Sequence, residues 1–469
     1  MLFSVSLMPP ALVAWLYQDG QLPVFLAGMV AVLVGGGIVW LPVRNFRHEL
    51  RVRDGFLLVV LFWVVLGMAG ALPFVFATSP HMSVTDAVFE SFSGLTTTGA
   101  TVITGLDDLP KSILYYRQQL QWLGGMGIIV LAVAIMPMLG VGGMQLYRAE
   151  TPGPMKDTKL TPRITETAKA LWYIYLTLTI VCGLGYWAAG MSGFDAISHS
   201  FSTVAIGGFS THDHSIGYFQ NSNIEMIAVV FMLLAGMNFA LHFVAWRSVS
   251  LRAYIRDSEL KAYLGILALV TLITVGYLYY TDTYIFIEDA LYAGLFQAVS
   301  IGTTTGFTTA EYFVWPGFLP VLLLLASFIG GCAGSTGGGM KVIRFLLLVK
   351  QGHREMVRLV HPTVQLPVKV GGKPISDRII NAVWGFFAAY VGSFVVIMLF
   401  VMATGLDQIT AFSAVAACMN NLGPGLGGVG ANYVDINDAA KWALSFAMIL
   451  GRLEIFTLVI LFTGAFWRR

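Results

Sequence analysis

The sequence predicts an all-α polytopic membrane protein: two N-terminal transmembrane helices, then four repeats of span, short half-helix and span around one central pore. Three observations lead to this class: the composition, the spacing of the apolar runs, and a glycine-containing segment that recurs four times. Of the 469 residues, 57% are hydrophobic and 11% charged, with a mean hydropathy of +0.76, whereas soluble domains carry about 25% charged residues. The net charge of +2 and the lack of any Lys/Arg-rich block argue against nucleic-acid binding. The partners that remain are the lipid bilayer, a small solute and other proteins.

Uncharged runs long enough to cross a bilayer, about 20 residues each, occur near 2–17, 21–43, 55–77, 118–147, 170–190, 226–246, 262–281, 313–349, 379–403 and 442–467. Ten spans follow. The first is short, and the eighth is too long for one straight helix. The N-terminal run lacks a basic n-region and a small-residue cleavage site, so it reads as a first span rather than a signal peptide. Cys182, Cys332 and Cys418 stand singly and read as packing residues.

All but four of the 27 Lys and Arg (Lys111, Arg117, Lys441 and Arg452) lie in the loops 44–53, 148–169, 247–261 and 341–378 or in the tail. The positive-inside rule makes those segments, and both termini, cytoplasmic. Acidic residues such as Asp86, Glu90, Asp195, Asp289 and Asp407 gather on the other side, where they would solvate the outer loops or attract cations.

Each outer connection from the third span onward contains a second, shorter apolar piece. Aligned without gaps, their ends read FSGLTTTGAT (92–101), FSTVAIGGFS (201–210), VSIGTTTGFT (299–308) and AACMNNLGPG (416–425), with Gly99, Gly208, Gly306 and Gly423 in register. Upstream, Ser83-Val-Thr-Asp86, Ser192-Gly-Phe-Asp195 and Thr404-Gly-Leu-Asp407 match the [ST]-x-x-[DE] helix start, and the third copy carries Glu288-Asp289 instead. The distance to the glycine allows a helix of about ten residues, or about 15 Å. That reaches halfway across the hydrocarbon, so the chain must turn back.

Non-helical backbone at membrane depth is tolerated only where it lines a water-filled path or is buried in protein. Four such segments fit best around one axis, with the negative ends of the half-helix dipoles directed at it. A cation is what that arrangement stabilises. Glycine permits the left-handed backbone that turns successive carbonyls inward to replace an ion's hydration shell. A single copy would read as a small-residue packing contact, and the fourfold recurrence is what favours a filter.

Six glycines between Gly330 and Gly339 interrupt the eighth span, and each costs a helix about 1 kcal/mol relative to alanine. A broken helix with a loop at membrane depth is expected to line the cavity. No G-x-x-x-x-G-K-[ST] can be placed there, so it is not a phosphate-binding loop. Arg452, deep in the last span with Glu454 two positions away, is a functional candidate by its cost alone, with hydrogen bonding to loop carbonyls as its structural alternative. His212-Asp213-His214 lacks a third metal ligand and reads as an ordinary polar loop.

These motifs resemble the Trk/Ktr/HKT superfamily of potassium transporters over essentially the whole chain, and the two extra N-terminal spans resemble the bacterial Trk branch. The resemblance implies a division into 1–45 (two extra spans), 46–150 (repeat 1), 151–250 (repeat 2), 251–360 (repeat 3, with the intramembrane loop) and 361–469 (repeat 4). It places filter carbonyls at Thr97, Thr98 and Gly99, at Ile206, Gly207 and Gly208, at Thr304, Thr305 and Gly306, and at Asn421, Leu422 and Gly423. It assigns gating to Gly334, Ser335, Thr336, Gly337, Gly338, Gly339 and Arg452, the arginine lying near the path where it repels cations and tunes occupancy.

The implied protein is a homodimer in the bacterial inner membrane that takes up K+ and is gated by a cytosolic nucleotide-binding partner of the TrkA type. It has no organic cofactor. Glycine at all four filter positions favours potassium, since plant relatives with serine at the first prefer sodium; Rb+ and Na+ pass some relatives with four glycines. The alternative within transport is a K+ symporter coupled to Na+ or H+, for which Glu454, Glu225 and His242 are the candidate relays. An enzyme is disfavoured by the lack of H-E-x-x-H, G-x-S-x-G or an intramembrane aspartate pair. A non-conducting scaffold or receptor subunit is the remaining class.

Overall fold

A computed structural model describes residues 1–45, 52–130, 164–453 and 455–468. Among these, the only strands are Lys369–Val370 and Lys373–Pro374, paired antiparallel with Lys369 opposite Pro374. All other regular structure is helical.

Among the described residues, each of the ten apolar runs contains helix. Leu22–Val43, Arg53–Phe76, Lys169–Ala188, Ser258–Tyr280 and Asp377–Ala403 are continuous and each is long and apolar enough to cross a membrane. Leu22–Val43 is apolar on all sides and only 17% of its most apolar window is buried, as a helix facing hydrocarbon requires. The first run is a short apolar piece, Leu2–Val5 with Met8–Tyr17. The fourth is described as Lys111–Val130, and its expected continuation to 147, with most of the basic loop after it, lies outside the described residues.

The sixth run departs from the single straight span expected at 226–246. Ser222–Ala235 and Phe239–Ser248 meet at 92°. Gly236 ends the first helix, and Asn238 caps the second by accepting from the Ala240 N–H at 2.8 Å. The eighth run divides, as its glycines require, into Leu319–Ile329 and Val342–Val360. The tenth breaks after Asp438–Arg452 and resumes at Ile455, and Glu454 lies outside the described residues.

The four half-helices are Val84–Leu95, Gly193–Ala205, Ile287–Gly302 and Gln408–Asn420. Ser83 and Ser192 cap the first two, each accepting from the N–H three residues on at 3.1 Å while donating its hydroxyl to the Asp86 or Asp195 carboxylate. The third starts at Phe286 without a side-chain cap, in keeping with its missing Ser/Thr. The fourth differs from expectation. Thr404 closes the preceding span, and Asp407 itself is the cap, accepting from the Thr410 N–H at 2.9 Å. Every residue from Ala87 to Leu95 is buried, as are Ala298 to Gly302 and Ser413 to Asn420, so the C-terminal parts of these half-helices are enclosed by protein.

Candidate functional site

The four half-helices end in one and the same way. Thr97, Ile206, Thr304 and Asn421 donate their N–H to the carbonyl three residues back at 3.0–3.3 Å. The next N–H, of Thr98, Gly207, Thr305 or Leu422, donates to the carbonyl five residues back at 2.8–2.9 Å. This 6→1 closure forces the intervening residue into the left-handed region. Accordingly φ is 55° at Thr97, 54° at Ile206, 71° at Thr304 and 53° at Asn421, and it is positive again two residues later at Gly99 (80°), Gly208 (78°), Gly306 (85°) and Gly423 (93°).

The glycines were legible in the sequence; the strain two residues before each was not. β-branched residues at positive φ are outliers, each costing roughly 1–3 kcal/mol, and such outliers persist where the surrounding structure over-determines them.

The segments interlock in a ring. A Cβ on Gly99 would stand 2.0 Å from the Gly207 oxygen, one on Gly208 2.1 Å from the Thr305 oxygen, one on Gly306 2.1 Å from the Leu422 oxygen, and one on Gly423 2.7 Å from the Thr98 oxygen. Each glycine thus faces the middle carbonyl of the next segment, and the fourth faces the first. Flanking contacts follow the same cycle. Asp213 accepts from the Gly105 and Leu106 N–H, Gly217 donates to the Thr308 carbonyl, Tyr312 donates to the Pro424 and Gly425 carbonyls, and Tyr433 donates from its N–H to the Thr101 carbonyl. All twelve sequence-predicted ring residues therefore stand together.

The braces behind the ring differ from segment to segment. Gln121 donates to the Gly207 carbonyl and accepts from the Phe209 N–H, and Gln118 donates to the Phe209 carbonyl. Tyr433 donates to the Gly423 carbonyl at 2.7 Å and Ser300 to the Phe307 carbonyl at 2.6 Å. Arg117, 1% exposed, pairs with the fully buried Glu90 at 2.7 Å and also reaches the Ser210 carbonyl and the Thr101 hydroxyl. Charge counting places Arg117 only among the four basic residues outside the cytoplasmic loops and the tail. Its place immediately before the fourth apolar run is the one signal that pointed inward.

Beneath the ring, on the side of the half-helix C-termini, lies the Gly-rich segment. The Thr336 hydroxyl donates to the Val204 carbonyl at 2.9 Å, Gly338 donates to the Thr304 hydroxyl, and Gly339 donates to the Asn420 carbonyl. The break in the sixth span receives the same loop: Cys332 donates to the Gly236 carbonyl, Thr336 to that of Ala235, and Phe239 to that of Gly334. Helix carbonyls freed by the 92° bend are thereby satisfied. Arg452 donates to the Thr336 carbonyl at 3.1 Å and to the Gly124 carbonyl at 2.9 Å. Gly334 to Gly339 and Arg452 are thus brought together, and the loop with this arginine spans all four quadrants. The buried Glu259 accepts from Ala333 and Ile343, one at each end of the loop.

On the acidic face, His212 stacks on Tyr218, bonds Asp107 and lies 3.6 Å from Asp195. Burial pulls its pKa down, but the Asp195 and Asp107 carboxylates outweigh it and hold the imidazole above its ordinary value. Among the described residues no three His, Cys, Asp or Glu are grouped as a metal site requires.

The TrkH family, described as cation transport proteins, matches residues 21–469. The chain is 61% identical to the Trk system potassium uptake protein TrkH of Vibrio parahaemolyticus, over all of this chain and 97% of that protein. It is 56% identical to TrkH of Escherichia coli over 100% and 97% of the two chains, and 44% identical to TrkG of the same organism over 100% and 96%. The crystal structure of the potassium transporter TrkH from Vibrio parahaemolyticus superimposes with a TM-score of 0.91 at 59% identity, covering all of this chain and 97% of that one. Family and relatives are transporters rather than enzymes, and the chain belongs to the TrkH family of cation transport proteins.

Proposed function

We propose that the chain takes up potassium across the bacterial cytoplasmic membrane through a gated, K+-selective, channel-like pore. The observation that carries this reading is the ring in which Gly99, Gly208, Gly306 and Gly423 each abut the middle carbonyl of the next segment. Carbonyls fixed in that way can replace an ion's hydration shell, and the C-terminal ends of four half-helices favour positive charge at the same place. Potassium is the ion named for the relatives. The filter carbonyls come from the twelve ring residues, and the loop Gly334–Gly339 with Arg452 is the gate.

The chain divides into two N-terminal spans (1–45) and four repeats with the boundaries expected from sequence. The basic loops and both termini are cytoplasmic, where a nucleotide-binding subunit of the TrkA type acts on a homodimer. Both ring nitrogens of His242 are engaged, by the Tyr254 hydroxyl and the Leu234 carbonyl, which favours the channel-like pathway over a proton relay. Purified protein in proteoliposomes, with the cytosolic partner and nucleotide present, tests the proposal: K+ or Rb+ flux down an imposed gradient is expected, and its absence rejects the pore.

A further inference from the structure

The ring is regular in backbone but not in side chains. Its middle position is Thr98, Thr305 or Leu422 in three segments and Gly207 in the second. Where the first and third segments have threonine, the hydroxyl pairs with that of Thr96 or Thr303 behind the ring at 2.7 and 2.8 Å. At Gly207 the corresponding space is filled from another element. A Cβ there would meet the Gln121 carboxamide carbon at 2.4 Å, its oxygen at 2.5 Å and its nitrogen at 2.8 Å.

Gln121 is fully buried on the Lys111–Val130 helix, and its amide straddles Gly208, donating to the carbonyl of Gly207 and accepting from the N–H of Phe209. The same Gly207 oxygen is the one against which Gly99 is packed.

We infer that Gln121 is a specificity-determining positioning residue: its carboxamide stands in for the side chain that Gly207 lacks and sets the orientation and ligand strength of the Gly207 carbonyl. An amide N–H on a carbonyl oxygen competes with a cation for the same lone pairs, so of the four middle carbonyls that of Gly207 binds an ion more weakly than those of Thr98, Thr305 and Leu422. Fixing that oxygen from behind also prevents it from collapsing onto a smaller ion. Removal of the amide leaves the Gly207 oxygen free to reorient and the Phe209 N–H buried without its acceptor.

This inference rests on the ring being the ion filter, and the test separates the two. Relative K+ and Na+ permeability is measured in proteoliposomes for Gln121→Met, which keeps volume and loses both hydrogen bonds, for Gln121→Glu, which replaces the amide N–H on the Gly207 carbonyl by a carboxyl, and for Gly208→Ser as the filter control. We expect K+ preference to fall by about fivefold in Gln121→Met, the fold-change that a net hydrogen-bond contribution corresponds to. Gln121→Glu is expected to shift the ratio in the same direction. If Gly208→Ser changes the ratio and neither Gln121 variant does, Gln121 is packing alone and the inference is overturned. If Gly208→Ser also leaves it unchanged, the filter reading falls and this inference with it. Should Gln121→Met fail to assemble, Gln121→Glu decides.

Discussion

The guanidinium of Arg452 donates to the carbonyl of Thr336 at 3.1 Å, and so ties the end of the tenth span's first helix to the glycine-rich loop beneath the ring. Its second bond, to Gly124, anchors the same arginine to the neighbouring Lys111–Val130 helix of the first repeat. Hydrogen bonds from a buried charged donor contribute about 1.5–3 kcal/mol each. Losing them in Arg452→Gln is expected to raise partner-independent K+ flux by about tenfold or more, as a population shift of that size implies. Basal flux equal to wild type would show that the arginine does not hold the loop.

Glu259 acts on the same loop from its two ends, through Ala333 and Ile343. Glu259→Ala leaves both N–H groups without that acceptor and is expected to raise basal flux in the same direction. Measured alongside Arg452→Gln, the double variant should exceed neither single by the full product, because both act through one loop. Simple multiplication of the two effects would mean that they restrain different elements.

The Arg117–Glu90 pair holds the stretch just past the ring. Glu90 also accepts from the Thr101 hydroxyl and the Val102 N–H. Removing one partner of a fully buried pair costs about 3–5 kcal/mol, since the other charge is left uncompensated. Glu90→Gln should therefore lower the melting temperature in detergent clearly, while Glu90→Gln with Arg117→Met should recover part of the loss. A single variant that melts with wild type contradicts the clamp.

His212 provides a pH dependence. The imidazolium is held by Asp107 and Asp195, so its folded pKa is raised above the unfolded value of about 6.5. Its contribution to stability is full below about pH 6.5 and is lost as pH rises through the folded pKa. Melting temperatures of wild type and His212→Gln are expected to differ most below about pH 6.5 and to converge as pH rises through the raised folded pKa. A difference independent of pH would assign His212 to stacking on Tyr218 alone.

What could be read in advance was local. Glycine in register at 99, 208, 306 and 423, Ser83 and Ser192 as caps, and the glycines from 330 to 339 each impose a backbone requirement visible in a few residues. The fourth cap was misplaced because the Asp of Thr404-Gly-Leu-Asp407 is itself a good cap, and the preceding helix runs on to Ala403. The break at Gly236 to Asn238 was hidden because its cause lies in the partner loop, which supplies the bonds that make the bend tolerable. Gln121, Gln118 and Arg117 were not identified for a similar reason: their partners lie on another repeat, and only the tertiary fold sets them behind that repeat's segment. The positive φ of Thr97 and Ile206 runs against the preference of β-branched residues, so local sequence argues against the conformation the ring imposes.

The central claim is that the four interlocked segments select the ion, and the most direct test is the K+/Na+ permeability ratio of Gly99→Ser in proteoliposomes with the cytosolic partner present. A serine Cβ would fall 2.0 Å from the Gly207 oxygen, so that oxygen or Gly99 itself must move. The expected result is a ratio lowered by about tenfold, equivalent to about 1.4 kcal/mol of lost discrimination, with flux retained. A variant that conducts with an unchanged ratio would contradict the account.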